Sequence, residues 1–200
     1  MGGSERAYSM ANRSLGAART QESILRATVE LATEKLTVEI VLADIAGRAG
    51  VTVQTILRHF GSRDRLFDAA VTFADAEVVT ERAAPVGDVA EAVRAIVDHY
   101  ETRGDWVVAL LGQEASDERI RGITVPGKQL HRAWVKTVFE PQLFDRNETG
   151  SSAIADLLTV ATDVLIWKLL RRDRGLSRDK TERRMRQLVE AILASPVKES

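Results

Sequence analysis

Apolar side chains recur at helical spacing through most of this chain, with no credible strand ladder, so the pattern predicts helix after helix. Ile24, Leu25, Thr28, Leu31 and Ala32 define an amphipathic helix over 20–35 with Thr20 as its N-cap. Leu42, Ile45, Ala46 and Ala49 mark a second, short helix, and Val53 to Arg58 a third. After GSRD, with Ser62 as cap, Leu66, Phe67, Ala70, Val71, Ala74 and Val78 make a longer fourth. The pattern breaks loosely around AAPVGD, where Asp88 and Glu91 resemble a capping box opening a fifth helix that runs to Thr102. Beyond Gly104, WVVALLGQEA reads as a short buried helix. VPGKQLHRAWVKTVFEPQLF reads as another, starting near Pro126, a residue suited to a first turn. Ile154, Leu157, Leu158, Ala161, Val164, Leu165, Leu169 and Leu170 form the strongest stripe and predict one helix over 152–171, followed by a basic RRDRG with Gly175 past the stop. Met185, Leu188, Val189 and Ile192 share one side of a last helix, over 179–194.

One stretch departs from plain amphipathic helix. DIAGRAGVTVQTILRHF, from Asp44 to Phe60, places Gly47 and Gly50 inside a helical run. A glycine in a helix interior costs about 1 kcal/mol relative to alanine, whereas just past a helix end it supplies a left-handed turn at little cost. Gly50 therefore reads as the hinge between two short helices, with Ala46 and Ala49 small enough for a close crossing and Val51 turned into the core. Two short helices on a tight glycine turn, preceded and followed by longer ones, make a helix-turn-helix unit, whose second helix enters the DNA major groove. Its exposed face offers Thr52, Gln54, Thr55, Arg58 and His59. Gln pairs with adenine, Arg with guanine or phosphate, and a Thr methyl packs on thymine.

Charge narrows how such contacts are made. The formal net charge is -1 and the pI about 6.3, which excludes attraction to a polyanion through bulk charge and leaves a local, geometric patch. The chain has no cysteine, which excludes disulfides, thiolate metal sites and a thiol nucleophile, and fits a cytoplasmic setting. No apolar run approaches a membrane span, and residues 1–19 lack the apolar centre of a signal peptide, reading instead as a flexible, mildly basic arm.

On these residues the chain resembles the TetR (tetracycline-repressor) family of transcriptional regulators. The resemblance covers residues 22–73 and rests on Ile45-Ala46, Ala49-Gly50-Val51-Thr52, His59-Phe60 and Ser62-Arg63-Asp64-Arg65-Leu66. It implies an all-α fold, with a helix-turn-helix DNA-binding domain over 20–66 followed by a helical ligand-binding and dimerisation domain over 67–200. Phe60 and Leu66 become core anchors, Arg63 a phosphate contact, and His59 either a phosphate contact or packing at the helix end. The chain departs from the family at Leu36 and Ile40-Val41, where a glycine and a Thr-Thr pair are common, and at Ile56-Leu57, where Leu-Tyr is common. The two missing hydroxyls, at Val41 and Leu57, remove phosphate hydrogen bonds worth about 1 kcal/mol each, for which Arg58, Arg63 and the arm compensate.

The remainder carries no motif. The resemblance implies an internal small-molecule pocket and a homodimer paired through 152–171 and 179–194. Independently, Ile166 and Trp167 lie off the main stripe of the 152–171 segment, an apolar excess for a monomer to cover. Candidate pocket residues are Trp106, Leu110, Gln113, His131, Trp134, Val138 and Trp167, which combine apolar bulk with polar tips; core packing accounts for the same side chains. His99 and His131 equally suit hydrogen-bonded histidines without a site role. RRDRG and RDKTERRMR interleave acids with bases and read as solvated faces. There is no GxSxG, phosphate-cradling loop or HExxH, so no catalytic residue, metal or cofactor is assigned. The expectation is a regulator bound to a double-stranded DNA operator, with a small-molecule effector and itself as partners. The alternative is a helical regulator that has lost DNA binding and acts through protein partners.

Overall fold

The computed structural model describes residues 3–35, 39–144 and 148–195. These form α1 (Gly3–Glu34), α2 (Leu42–Ala49), α3 (Val53–Phe60), α4 (Arg63–Glu81), α5 (Val89–Leu111), α6 (Glu118–Val138), α7 (Glu140–Phe144), α8 (Glu148–Ala161), α9 (Val164–Lys168), a π-helical turn (Leu169–Asp173) and α10 (Arg178–Ala194). The fold is all-α, with no strand among the described residues. None of these helices is long and apolar enough to cross a membrane.

Packing divides the chain into two units, residues 1–77 and 78–200. In the first, Ile24 and Leu31 of α1, Ile45 and Ala46 of α2, Ile56 and Phe60 of α3 and Leu66 of α4 bury their side chains together. Each large aliphatic group removed from water contributes about 1.5–3 kcal/mol, which is what holds helices as short as α2 and α3 in place. Around the rim, Arg48 forks onto Glu34 at 2.6 and 2.7 Å and Arg26 reaches Glu77 at 2.9 Å. The second unit packs α10 on α5 and α8, α9 on α5, and α6 on α8, around Val93, Ile96, Val135, Phe139, Leu158 and Trp167.

Several elements differ from the sequence reading. The first helix starts at Gly3, where an arm is expected through residue 19; alanine, methionine, leucine and arginine are strong helix formers and dominate that stretch. Leu36 lies outside the described residues. The division between units falls within α4, after Glu77. Helix α5 runs unbroken through Gly104, because that glycine is not a stop but a buried contact: a Cβ there would stand 2.7 Å from Cη2 of Trp167. Helix α6 starts at Glu118 and carries Pro126 in its interior. Gly122, whose carbonyl the proline cannot meet, is exposed to water. The stripe over 152–171 is not one helix. It breaks at Thr162-Asp163, where Asp163 adopts an extended conformation (φ -71°, ψ 150°) and caps α9 by accepting from the Leu165 N–H at 2.8 Å. The break explains the off-stripe residues, since α8 faces α6 and α10 whereas α9 faces α5.

The basic runs are accounted for internally. Asp98, Glu101 and Asp105 lie along α5 and receive Arg178, Arg171 and Arg172 at 2.8, 2.9 and 2.8 Å. Glu101 also accepts from the indole N–H of Trp167 at 2.9 Å.

Candidate nucleic-acid interface

The reading head is built from α2 and α3. Gly50 follows α2 with φ 67° and ψ 32°, the left-handed conformation that an L side chain resists, although the space beside it is open. Its constraint is therefore backbone torsion, not room. The Val51 N–H closes the turn on the Ala46 carbonyl at 3.0 Å. Thr52 then opens α3 as N-cap: its Oγ1 accepts from the Thr55 N–H at 3.1 Å and lies 3.0 Å from the Thr55 hydroxyl. Ile56 and Phe60 anchor the inner side of α3, and Gly61, at φ 80°, ends it by donating to the Leu57 carbonyl at 2.8 Å.

This geometry sorts the candidates. Thr52, Gln54 and Arg58 are exposed, while Thr55 and His59 are half-buried. Gln54 and Arg58 are separated by one helical turn and share the open strip of α3. Arg63, the expected phosphate contact, has a partner within the protein. Its Nε and Nη2 donate to the Ile40 carbonyl at 3.4 and 3.2 Å and its guanidinium stacks 4.3 Å from the centre of the Phe67 ring. It ties the start of α4 to the segment preceding α2.

The departures from the family pattern have defined locations. Val41 is the N-cap of α2 and, having no side-chain acceptor, caps nothing; Asp44 compensates by accepting from the Val41 N–H at 3.4 Å and from Lys35 at 2.6 Å. Those two partners, Lys35 first, hold the Asp44 carboxyl below its ordinary pKa. Leu57 is 42% exposed and stands on the same strip as Gln54 and Arg58. The sequence marks it as a lost hydroxyl; the i, i+3, i+4 spacing from Gln54 is the signal that places it on the exposed strip of α3.

The candidate pocket residues of the second unit scatter. His131 and Trp134 stack with centroids 5.7 Å apart and an interplanar angle of 17°, and Val138 and Trp167 share the buried core against which Trp134 packs. Leu110 is buried apart from that core, Trp106 is half-buried, and Gln113, just past the end of α5, donates to the Ala109 carbonyl at 2.8 Å. Missing from the sequence reading is a buried polar group of Arg82, His99, Tyr100 and Thr162. Tyr100 donates to the Thr162 carbonyl at 3.0 Å, and burial pushes its phenol pKa up. Burial first, and Arg82 second, lower His99 to about 3 and His131 to about 4, so both rings are neutral. Nothing in local periodicity distinguishes Arg82 from a solvated residue after a helix end. Among the described residues no cluster of three His, Asp or Glu is placed to hold a metal ion.

The geometry defines the class: a helix-turn-helix protein with an appended helical domain. Residues 24–70 match the family described as bacterial regulatory proteins, tetR family. The N-terminal segment of this chain is thus similar to the tetR family of bacterial regulatory proteins. A transcriptional regulator of Rhodococcus sp. Rha1 shares the fold with a TM-score of 0.62 at 19% identity, over 86% of this chain and 95% of that one. A Streptomyces coelicolor A3(2) protein provisionally assigned to transcriptional regulation aligns with a TM-score of 0.54 at 21% identity, over 88% and 99%. At such identities the likeness carries the fold alone. Among curated protein sequences none matches this chain.

Proposed function

We propose that this DNA-binding regulator acts as a homodimeric repressor that holds a palindromic operator and is released by a small apolar or amphipathic molecule bound in its second unit, in the cytoplasm. The observation that carries the DNA reading is the open strip of α3, on which Gln54, Leu57 and Arg58 stand beside the exposed Thr52. Side chains of these types meet base edges and thymine methyl groups, while phosphate contacts position the helix. One such helix reads a few base pairs, and a two-fold dimer reads two half-sites about 34–36 Å apart. Pairing is supported by exposed apolar groups on α8, α9, the π-helical turn and α10: Leu157, Val160, Leu165, Leu169 and Leu188 are 40–59% exposed. Release then follows from an effector that favours a conformer with the wrong spacing, through a coupling of about 1–3 kcal/mol.

The test is selection of bound fragments from a random duplex pool, followed by titration of the winning site at two salt concentrations. A palindrome with affinity that falls as salt rises is the expected result. Gln54→Ala should relax preference at one base position by about 1–3 kcal/mol without changing the salt slope. The exposed apolar groups Val41 and Leu57 favour a second reading, in which this face meets a protein. It is adopted if no fragment is enriched over a Gly50→Pro control.

A further inference from the structure

One cation in the second unit is buried without an acid hydrogen-bonded to it. Arg82 directly follows α4, and only 8% of the residue is exposed. Its Nη2 donates to Nε2 of His99 at 2.8 Å, and its guanidinium lies 5.7 Å from the centre of the Tyr100 ring. The neighbouring Glu81 is already engaged, accepting from Arg103 at 2.6 Å and from Nδ1 of His99 at 2.7 Å. Asp163 acts on Arg82 through space, its carboxylate being used to cap α9. The Nε–H of Arg82 has no acceptor.

A second unmet group lies in the same neighbourhood. Nε2 of His131 is 3.2 Å from both the Thr159 carbonyl and the Thr162 hydroxyl. The proton of that hydroxyl goes to the Leu158 carbonyl at 2.7 Å, so Nε2 carries the imidazole proton and donates it. Nδ1 is left as a bare lone pair without a partner, in a residue 6% exposed. Trp134 connects the two groups: its ring stacks on His131, and its Nε1 donates to the Arg82 carbonyl at 2.8 Å.

A buried guanidinium that lacks an acid destabilises a fold relative to an apolar residue of similar size. An unmet buried donor and an unmet buried acceptor, linked through Trp134, add to that penalty. The pair is complementary to a molecule that accepts at one end and donates near it. We propose that the second unit binds a small organic acid, its monocarboxylate accepting from the Nε–H of Arg82 and a hydroxyl or N–H of the same molecule donating to Nδ1 of His131. A monoanion fits because one cation awaits it; a phosphate dianion would bury a further, unmatched charge. An aromatic or aliphatic body suits the rings of Tyr100 and Trp134 beside these groups. This inference rests on the effector reading above and specifies the chemistry of that effector.

The test is thermal unfolding of the full-length protein with 4-hydroxyphenylacetate and with 3-hydroxyoctanoate, each compared with its uncharged amide. Wild type, Arg82→Met and the exposed control Arg94→Met are measured in parallel. The expected result is a rise of the midpoint with an acid and not with its amide, retained in Arg94→Met and lost in Arg82→Met. Without ligand, Arg82→Met should melt at or above the wild-type temperature, because the unpaired charge is gone. Amides as effective as acids, or an Arg82→Met variant that still responds, overturn the acid site while leaving an effector domain standing. No response to either acid, or a lower ligand-free midpoint for Arg82→Met, makes the guanidinium a structural group and also overturns it. The effector reading fails separately if an acid binds through Arg82 yet leaves operator affinity unchanged.

Discussion

The two units bury polar groups on different terms. In the first, Thr28 is the one buried polar residue among those described, and its hydroxyl returns to its own helix at the Ile24 carbonyl, 2.8 Å away. The second buries Arg82, His99, Thr124, His131, Thr162 and Thr181, and polar atoms of Arg82, His131 and Thr181 find no partner. An aliphatic core with every donor satisfied has one low-energy arrangement, which suits a unit whose task is to present α3 at fixed geometry. A core containing unmet hydrogen-bonding groups is less stable by itself and gains by binding something.

The largest effect that sharpens this contrast comes from emptying the first core. Ile56 is fully buried, and Ile56→Ala should destabilise the unit by about 2–5 kcal/mol and abolish operator binding, measured by denaturant unfolding and a binding titration. In the second unit the damaging change is addition of volume. Gly104→Ala forces a methyl group against Trp167 and should cost about 1–3 kcal/mol in the same unfolding experiment, with helix content retained. Acid distinguishes the cores more selectively. His99 and His131 have folded pKa values of about 3 and about 4, below the ordinary 6.5, so protonation favours the unfolded chain. Their stabilising contribution is complete above about pH 6.5 and is lost as pH falls through the folded values, at up to about 1.4 kcal/mol per pH unit for each histidine. His131→Gln should flatten unfolding free energy against pH between 6.5 and 4. The smallest effect is Thr52→Ala, which removes the cap of α3 for about 1 kcal/mol and should leave the pH profile unchanged.

Arg63 offers a test of a different kind. Bound to the Ile40 carbonyl and stacked on Phe67, it should behave in Arg63→Ala as a packing residue, lowering stability while the salt slope of operator binding stays as it was. A slope reduced by about 1 would restore the phosphate role that the motif suggests.

Where sequence was informative, the interaction deciding the structure was local. The turn at Gly50, the caps at Ser62 and Asp88 and the exposed strip of α3 all depend on residues within a few positions of one another. Where it misled, the deciding partner was remote. Gly104 reads as a helix end until Trp167 is brought against it, and Pro126 reads as a first turn until the chain before it proves helical. Arg63 reads as a phosphate contact, and the Ile40 carbonyl that also holds it lies 23 positions away in sequence. The buried polar group of the second unit was the least legible, since Arg82, His99, Tyr100 and Thr162 come from three separate stretches and are polar residues that composition would assign to the surface.

The interruption at Thr162-Asp163 bears on which changes of length the chain tolerates. Ending α8 frees carbonyl oxygens that a continuous helix would consume: Thr159 is available to His131, and Thr162 to the hydroxyl of Tyr100. Deleting Asp163 would let the two segments fuse and withdraw both acceptors, stranding a phenol and an imidazole in the core. Substitutions on the outer surfaces of α8 and α9 leave that supply intact. In the history of such a sequence this joint should therefore drift in composition on either side while resisting loss of a residue, a constraint imposed by hydrogen-bond bookkeeping and not by the shape of the helices it separates.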